Sequence, residues 1–325
     1  MLLPTALLIV GLILLVYAAD RLVYGAAVMA NSLGIPPLVI GMTVVGIGIS
    51  LPELVVSTTA AMNGQMDMAI GNVLGSNITN ILLILGGAAL LHPLTVRSDI
   101  LRRELPLMLL ITAICGFLLA DNQLSRLDGV ILLASGVVFM LIMLKIARLA
   151  QREGNDTLTS EQMAELPKDS SNTVAFLWLA LALIIMPLSS NMIVDNATVI
   201  ARYFNISELV IGLTVIAIGT SLPELATFIA GAHKGEDDIA LGNIIGANIF
   251  NLCLVLGVPA LLAPGSFSPA AFQRDYWVML AVSVVLTGLC LMRKHRIGHL
   301  AGALLLCGFI AYLALLFVFP GSMTL

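Results

Sequence analysis

Residues 35–86 read IPPLVIGMTVVGIGISLPELVVSTTAAMNGQMDMAIGNVLGSNITNILLILG, and residues 206–257 read ISELVIGLTVIAIGTSLPELATFIAGAHKGEDDIALGNIIGANIFNLCLVLG. The two blocks align without a gap, and about half of their positions are identical. Self-similarity on this scale marks an internal duplication. Each copy sets one glutamate, Glu53 or Glu224, directly after a proline inside an apolar stretch. Ionisable side chains in such places are costly and point to function.

Composition supplies the surroundings. The chain has 325 residues, of which 59% are hydrophobic and 10% charged, with a mean hydropathy of +1.06. A soluble domain carries about 25% charged residues, so this is the composition of a polytopic membrane protein with lipid as its partner. Backbone exposed to lipid must satisfy its own hydrogen bonds, which leaves helices or closed barrels. The apolar runs are continuous rather than alternating, which selects helices. The formal charge of −4 and the absence of a basic cluster interleaved with aromatics argue against nucleic acid as a partner. No obligate protein partner is evident. Cys115, Cys253, Cys290 and Cys307 all lie in apolar runs without metal-ligand spacing and read as packing residues. The N-terminal apolar run lacks a positive leader and reads as a retained first helix.

At about 20 residues per span, ten helices are expected, with cores at 2–29, 36–62, 67–91, 104–120, 127–149, 173–200, 207–232, 238–262, 276–292 and 298–319. The first core is either one long tilted helix or a helix with an interfacial turn near Asp20 and Arg21. Residues 151–172 are polar and form a solvated linker, with Thr159 and Gln162 spaced like a capping box. The chain thus divides into a first half (1–149), a linker (150–172) and a second half (173–325). Five is odd, so equivalent helices cross the membrane in opposite directions. The expected fold is all-α and integral to the membrane, with two inverted five-helix repeats, an architecture typical of secondary transporters. With the N-terminus outside, the inside loops hold Arg97, Arg102, Arg103, Lys145, Arg148, Arg152, Lys168, Lys234, Arg293, Lys294 and Arg296. The outside loops hold only Arg126, Arg202 and Arg274. Positive residues favour the cytoplasmic side, so both termini are expected outside and the linker in the cytoplasm.

The duplicated segments carry the chemistry. A proline inside a helix leaves the carbonyl four residues earlier without a partner; here these are Gly48, released by Pro52, and Gly219, released by Pro223. Ser50 and Ser221 add hydroxyls one turn from the glutamates. Carboxylate, carbonyl and hydroxyl are hard oxygen ligands, which suit calcium and the alkali metals. Two inverted copies facing each other make one cage with two negative charges, neutralised by one divalent or two monovalent cations. In the second part of each block, Asn72, Ser76 and Asn80 are spaced i, i+4, i+8 along one helical face, as are Asn243, Ala247 and Asn251. Asn77 and Asn248 lie one position off that stripe, where helix–helix glue is an equally good reading. Asp67 and Asp238 are expected as N-caps, and Glu236, Asp237 and Asp238 as a solvated turn. A Pro-Glu pair is elsewhere a mere kink with a protonated glutamate, but two copies in register with matching asparagines count against that. An intramembrane enzyme would need two dissimilar carboxylate environments, and these are near copies with no histidine beside them. A passive channel fits inverted halves less well than alternating access.

At these residues the sequence resembles the calcium/cation antiporter superfamily, in its prokaryotic sodium/calcium exchanger branch. G-x-S-L-P-E and G-N-x-x-G-x-N occur in both blocks, and the resemblance covers essentially the whole chain. It implies that Glu53 and Glu224 ligate Ca²⁺ and share in Na⁺ binding, and that Ser50 and Ser221 help bind Na⁺. It further implies contributions from the backbone carbonyls of Gly46, Ile49, Ala217 and Thr220 and from the polar positions Ser76, Asn80, Ala247 and Asn251. The first and sixth helices would slide across a rigid core. Three positions depart from the family's pattern: Ile49 stands where threonine is frequent, Ala247 where serine is, and Asn251 where aspartate is. All three reduce the polar groups open to monovalent ions. The resemblance therefore implies Ca²⁺ extrusion driven by Na⁺ in a bacterial inner membrane, without a cofactor; Ca²⁺/H⁺ or K⁺-dependent exchange through the same cage is the alternative.

Overall fold

The computed structural model describes residues 1–32, 46–95, 99–153, 171–222, 224, 225, 228, 237–291 and 296–318. The first half contains α1 (Leu2–Ser32), α2 (Gly46–Ile49), α3 (Leu51–Met62), α4 (Met66–Leu91), α5 (Asp99–Leu119) and α6 (Arg126–Glu153). The second contains α7 (Asn172–Phe204), α8 (Glu208–Thr220), α9 (Asp237–Phe250, running on through Asn251–Val255 into Gly257–Leu262), α10 (Ala271–Leu291) and α11 (His299–Val318). Leu222, Glu224, Leu225 and Phe228 are helical as well. Among the described residues, seven helices are long and apolar enough to cross a membrane, and Glu104–Leu119 and Glu208–Thr220 are shorter apolar helices.

Burial sorts these helices into a centre and a rim. In α4 and α9, 78% of the apolar window is buried, against 28% in α1, α7 and α11 and 22% in α6. The rim helices turn Leu2, Leu3, Leu183, Leu300 and Ile310 outward. Such a surface is stable in hydrocarbon and unstable in water. In lipid, helices associate through close packing rather than hydrophobic expulsion, which rewards small residues at contacts. Gly71 of α4 and Gly212 of α8 meet in this way. A Cβ on Gly71 would lie 2.6 Å from the Leu209 carbonyl oxygen, and one on Gly212 would lie 2.6 Å from that of Met68. At the rim, α1 and α7 form the most extensive helix pair. They run antiparallel, since Gly11 faces Ile193 while Tyr17 stacks edge-on against Trp178 at 5.9 Å.

Two short antiparallel strand pairs tie the halves together. β1 (Leu94–Thr95) pairs with β4 (Arg296–Ile297), matching Leu94 to Ile297. β2 (Gln123–Leu124) pairs with β3 (Gly265–Ser266), matching Leu124 to Gly265. Each pair joins a connection of the first half to one of the second.

Several expectations are corrected. The second core is not one kinked helix over its described part. It breaks at Ser50 (φ −88°, ψ 12°), and Pro52 occupies the first turn of α3, where its missing N–H leaves no gap. The equivalent Ser221 has the same conformation (φ −80°, ψ 13°), while Pro223 lies outside the described residues. Asp67 is not an N-cap: Gln65 holds that position, and Asp67 accepts the Ser268 N–H at 2.6 Å. Asp238 lies inside α9 rather than before it. Asp237 is buried and accepts the Thr95 N–H at 3.0 Å, so it is not a solvated turn residue. Arg274 sits in the first turn of α10, buried against Asp275 at 2.8 Å, rather than in a loop. Cys307 is exposed on the rim, while Cys115, Cys253 and Cys290 are buried as expected. The first core is one unbroken helix in which Arg21 lies over the rings of Tyr17, Tyr24 and Trp178. The Thr159–Gln162 capping box, Glu236 and residues 36–45 of the second core lie outside the described residues.

Candidate functional site

The break at Ser50 gives α3 a free N-terminus in the protein interior, with Glu53 in its first turn. Helix N-termini favour negative charge, which offsets part of the desolvation of a carboxylate with no exposed surface. Glu224 is equally buried, at 1% exposure, and lies close enough to Glu53 for their charges to interact. A direct bond between the halves reaches the first glutamate: Ser221 Oγ donates to Glu53 Oε1 at 3.1 Å.

The asparagine stripes of α4 and α9 form the facing wall. Asn72, Ser76 and Asn80 have no exposed surface, and Asn251 has none either. Asn80 and Asn251 each open a π-helical segment, Asn80–Leu85 and Asn251–Val255. Such wide turns concentrate at functional sites. Asn80 Nδ2 donates to Asn248 Oδ1 and Asn251 Nδ2 donates to Asn77 Oδ1, both at 3.0 Å.

Against this hydrogen-bonded background, seven of the buried side-chain oxygens that lack a hydrogen-bond partner belong to site residues expected from the sequence. They are Ser50 Oγ, Glu53 Oε2, Ser76 Oγ, Asn80 Oδ1, Glu224 Oε1, Glu224 Oε2 and Asn251 Oδ1. Buried polar atoms are nearly always satisfied, so a set of unpartnered acceptors needs a positive occupant. All are hard oxygens, and Ca²⁺ takes six to eight of them. Among the described residues no group of three or more His, Cys, Asp and Glu side chains is placed to hold a metal. Two carboxylates with neutral oxygens suit an ion that must also leave.

The other expected positions differ in how far they are engaged within the protein. Asn72 Nδ2 donates to the Glu53 carbonyl (3.3 Å) and to Ser57 Oγ (2.9 Å), while its Oδ1 accepts from Thr220 Oγ1 (3.2 Å). All of its polar atoms are thereby engaged within the protein. Asn243 is half-buried and makes no side-chain hydrogen bond among the described residues. The Ala217 carbonyl accepts the Ser221 N–H at 3.1 Å and Thr220 Oγ1 at 3.4 Å. Gly46 and Ile49 are placed on α2, directly before the break at Ser50. Ala247 is buried and brings no side-chain oxygen. Ser57 escapes sequence reasoning because its repeat counterpart is Phe228, so comparing the copies discards it.

A multi-helix apolar bundle whose centre holds paired carboxylates and unpartnered oxygens belongs to the class of membrane cation transporters. Residues 3–145 and 174–318 match the family model described as sodium/calcium exchanger protein. The inner membrane protein YrbG of Escherichia coli is 61% identical over 317 residues, covering 98% of both chains. The sodium/calcium exchanger MaX1 of Methanosarcina acetivorans is 32% identical over 343 residues, covering 96% of this chain and 97% of that one. A solved structure of the sodium-calcium exchanger NCX_Mj soaked with Na⁺ and Ca²⁺ superposes with a TM-score of 0.65 at 30% identity, covering 97% of this chain and 98% of that one. The chain belongs to the sodium/calcium exchanger family.

Proposed function

We propose that this protein is a secondary antiporter that exchanges Ca²⁺ for Na⁺ by alternating access around Glu53 and Glu224. It is a transporter rather than an enzyme, and its ions are substrates rather than cofactors. The observation that carries the reading is the set of seven unpartnered buried oxygens. The two carboxylates take one Ca²⁺ at charge balance, and two or more Na⁺ displace it. Ser50, Ser76, Asn80 and Asn251 complete the ligand set, and the carbonyls of Gly46, Ile49, Ala217 and Thr220 line its approach. Asn72 holds the Glu53 turn in place rather than the ion, and Asn243 flanks the access route.

Ten spans in two inverted halves, both termini outside and the linker in the cytoplasm, complete the proposal for the bacterial inner membrane. The strand pairs support it. With that topology β1 and β4 fall on the cytoplasmic side and β2 and β3 on the outer side, so each pair can form. The membrane named for the Escherichia coli relative agrees with this localisation.

A second reading, Ca²⁺/H⁺ or K⁺-dependent exchange at the same centre, is favoured by Ile49 and Ala247, which bring no side-chain oxygen, and by Asn251, which brings a neutral amide in place of a carboxylate. One experiment tests both. Proteoliposomes are loaded, and radiolabelled Ca²⁺ uptake is followed under imposed Na⁺, K⁺ or pH gradients. Uptake driven by Na⁺ alone is the expected result, and uptake driven only by pH would replace Na⁺ with H⁺. Glu53→Gln and Glu224→Gln should each lower flux to the background of empty vesicles; parent-level flux in either would sink the two-glutamate site.

A further inference from the structure

Asn77 and Asn248 are repeat equivalents that the site's ligand set does not include, and they form a crossed pair. Asn77 Nδ2 donates to the Asn248 carbonyl at 3.2 Å, and Asn248 Nδ2 donates to the Asn77 carbonyl at 3.5 Å. Each side-chain oxygen then accepts from the opposite half: Asn248 Oδ1 from Asn80 Nδ2, and Asn77 Oδ1 from Asn251 Nδ2, both at 3.0 Å. Asn77 is 2% and Asn248 1% exposed, so no water competes for these bonds. The remaining atoms of the two stripe amides, Asn80 Oδ1 and Asn251 Oδ1, have no partner.

We infer that Asn77 and Asn248 are positioning residues that turn the amides of Asn80 and Asn251 so that each presents its oxygen, and not its NH₂, to the transported cation. The inference rests on the two-glutamate reading and deepens it. An amide is nearly symmetric in shape but opposite in charge at its two ends, so a cation site built from asparagine needs the flip state fixed. Here it is fixed electrostatically. Turning Asn80 over would set its Oδ1 against Asn248 Oδ1, acceptor to acceptor, and would aim two N–H groups at the ion. Asn251 faces the same choice against Asn77. Each half thereby orients the other half's ligand, and neutral amides serve where a carboxylate would need no such guide.

Positioning differs from mere helix glue in one measurable respect: a carboxylate presents oxygen whichever way it turns. The experiment is a double-mutant cycle on Ca²⁺ flux in proteoliposomes, read as the half-saturating Ca²⁺ concentration and the maximal rate. Asn77→Ala should raise half-saturation about tenfold, as loss of a partner behind a metal ligand typically does. Added to Asn251→Asp, the same change should shift half-saturation by less than about twofold, while added to Asn80→Asp it should keep its full effect. Asn248→Ala should mirror this, rescued by Asn80→Asp and not by Asn251→Asp. Equal shifts in every background, or a loss of maximal rate alone, would overturn the inference. So would failure of both alanine variants to give folded protein while the aspartate variants fold, since that marks a structural role. Glu53→Gln is run alongside: if it retains parent flux, the site reading fails, whereas background flux there with an unshifted Asn77→Ala removes only the present inference.

Discussion

The two halves of the site descend from one block, yet the first is held and the second is free. Glu53 has an oxygen bound by Ser221 from the other half, while both oxygens of Glu224 and the hydroxyl of Ser50, which would return the bond, are unpartnered. Asn72 is locked by Ser57, Thr220 and the Glu53 carbonyl; Asn243, its counterpart, is half-buried and unbonded among the described residues. For the asparagines, the copies differ at two matching positions. Ser57 matches Phe228, and Thr220 matches Ile49, so the two hydroxyls that bond Asn72 have apolar counterparts in the other copy. The duplicated fold thus leaves unpartnered oxygens in both copies, while Glu53 and Asn72 of the first copy are bonded by Ser221 and Thr220 of the second.

The largest expected effect that tests this contrast is at the asparagines. Asn72→Ala strips partners from the Thr220 hydroxyl and the Glu53 carbonyl, and should lower stability by about 2 kcal/mol. Asn243→Ala should stay within about 0.5 kcal/mol. Thermal unfolding in detergent compares them, and equal losses would erase the held–free distinction.

Gly75 and Gly246 sharpen it next. A Cβ on Gly75 would lie 2.6 Å from the Leu213 carbonyl oxygen, whereas one on Gly246 meets nothing within 4 Å among the described residues. Gly75→Ala should destabilise by about 1–2 kcal/mol through overpacking. Gly246→Ala should stabilise by up to about 1 kcal/mol through helix propensity.

A smaller effect separates the serines. Ser221→Ala removes the bond to Glu53 and should lower stability by about 1 kcal/mol in the absence of Ca²⁺. Ser50→Ala removes an oxygen that has no protein partner, so ion-free stability should not fall while Ca²⁺ half-saturation rises. Unfolding scans with and without Ca²⁺ read both. The smallest effect is expected from Ala247→Ser, which restores the hydroxyl present at Ser76. It should favour Na⁺ by about 0.5 kcal/mol, seen as a lower Na⁺ concentration for half-maximal Ca²⁺ release.

Much of this is legible in the sequence alone. The glutamates, the serines before them and the asparagine stripe announce themselves because polar groups in an apolar run are conspicuous, and because a second copy repeats them in register. Helix positions follow from long apolar runs, and the observed bounds fall within a few residues of expectation wherever they are described. What escaped are properties of contact. Asp67 and Asp237 look like helix-cap and turn residues by position, yet they reach the N–H groups of Ser268 and Thr95, about two hundred and about 140 residues away. Arg274 reads as a positive loop residue until Asp275 and α10 enclose it.

By itself, then, the chain determined which side chains are chemically out of place in hydrocarbon and that they come in two sets, since transfer energies depend on residue type and local pattern. Only the tertiary structure decided which oxygens remain unpartnered, which glutamate is held, and which way the Asn80 and Asn251 amides turn. Those are decided by hydrogen bonds between halves, and a bond between residues 171 or 174 positions apart leaves no trace in local sequence.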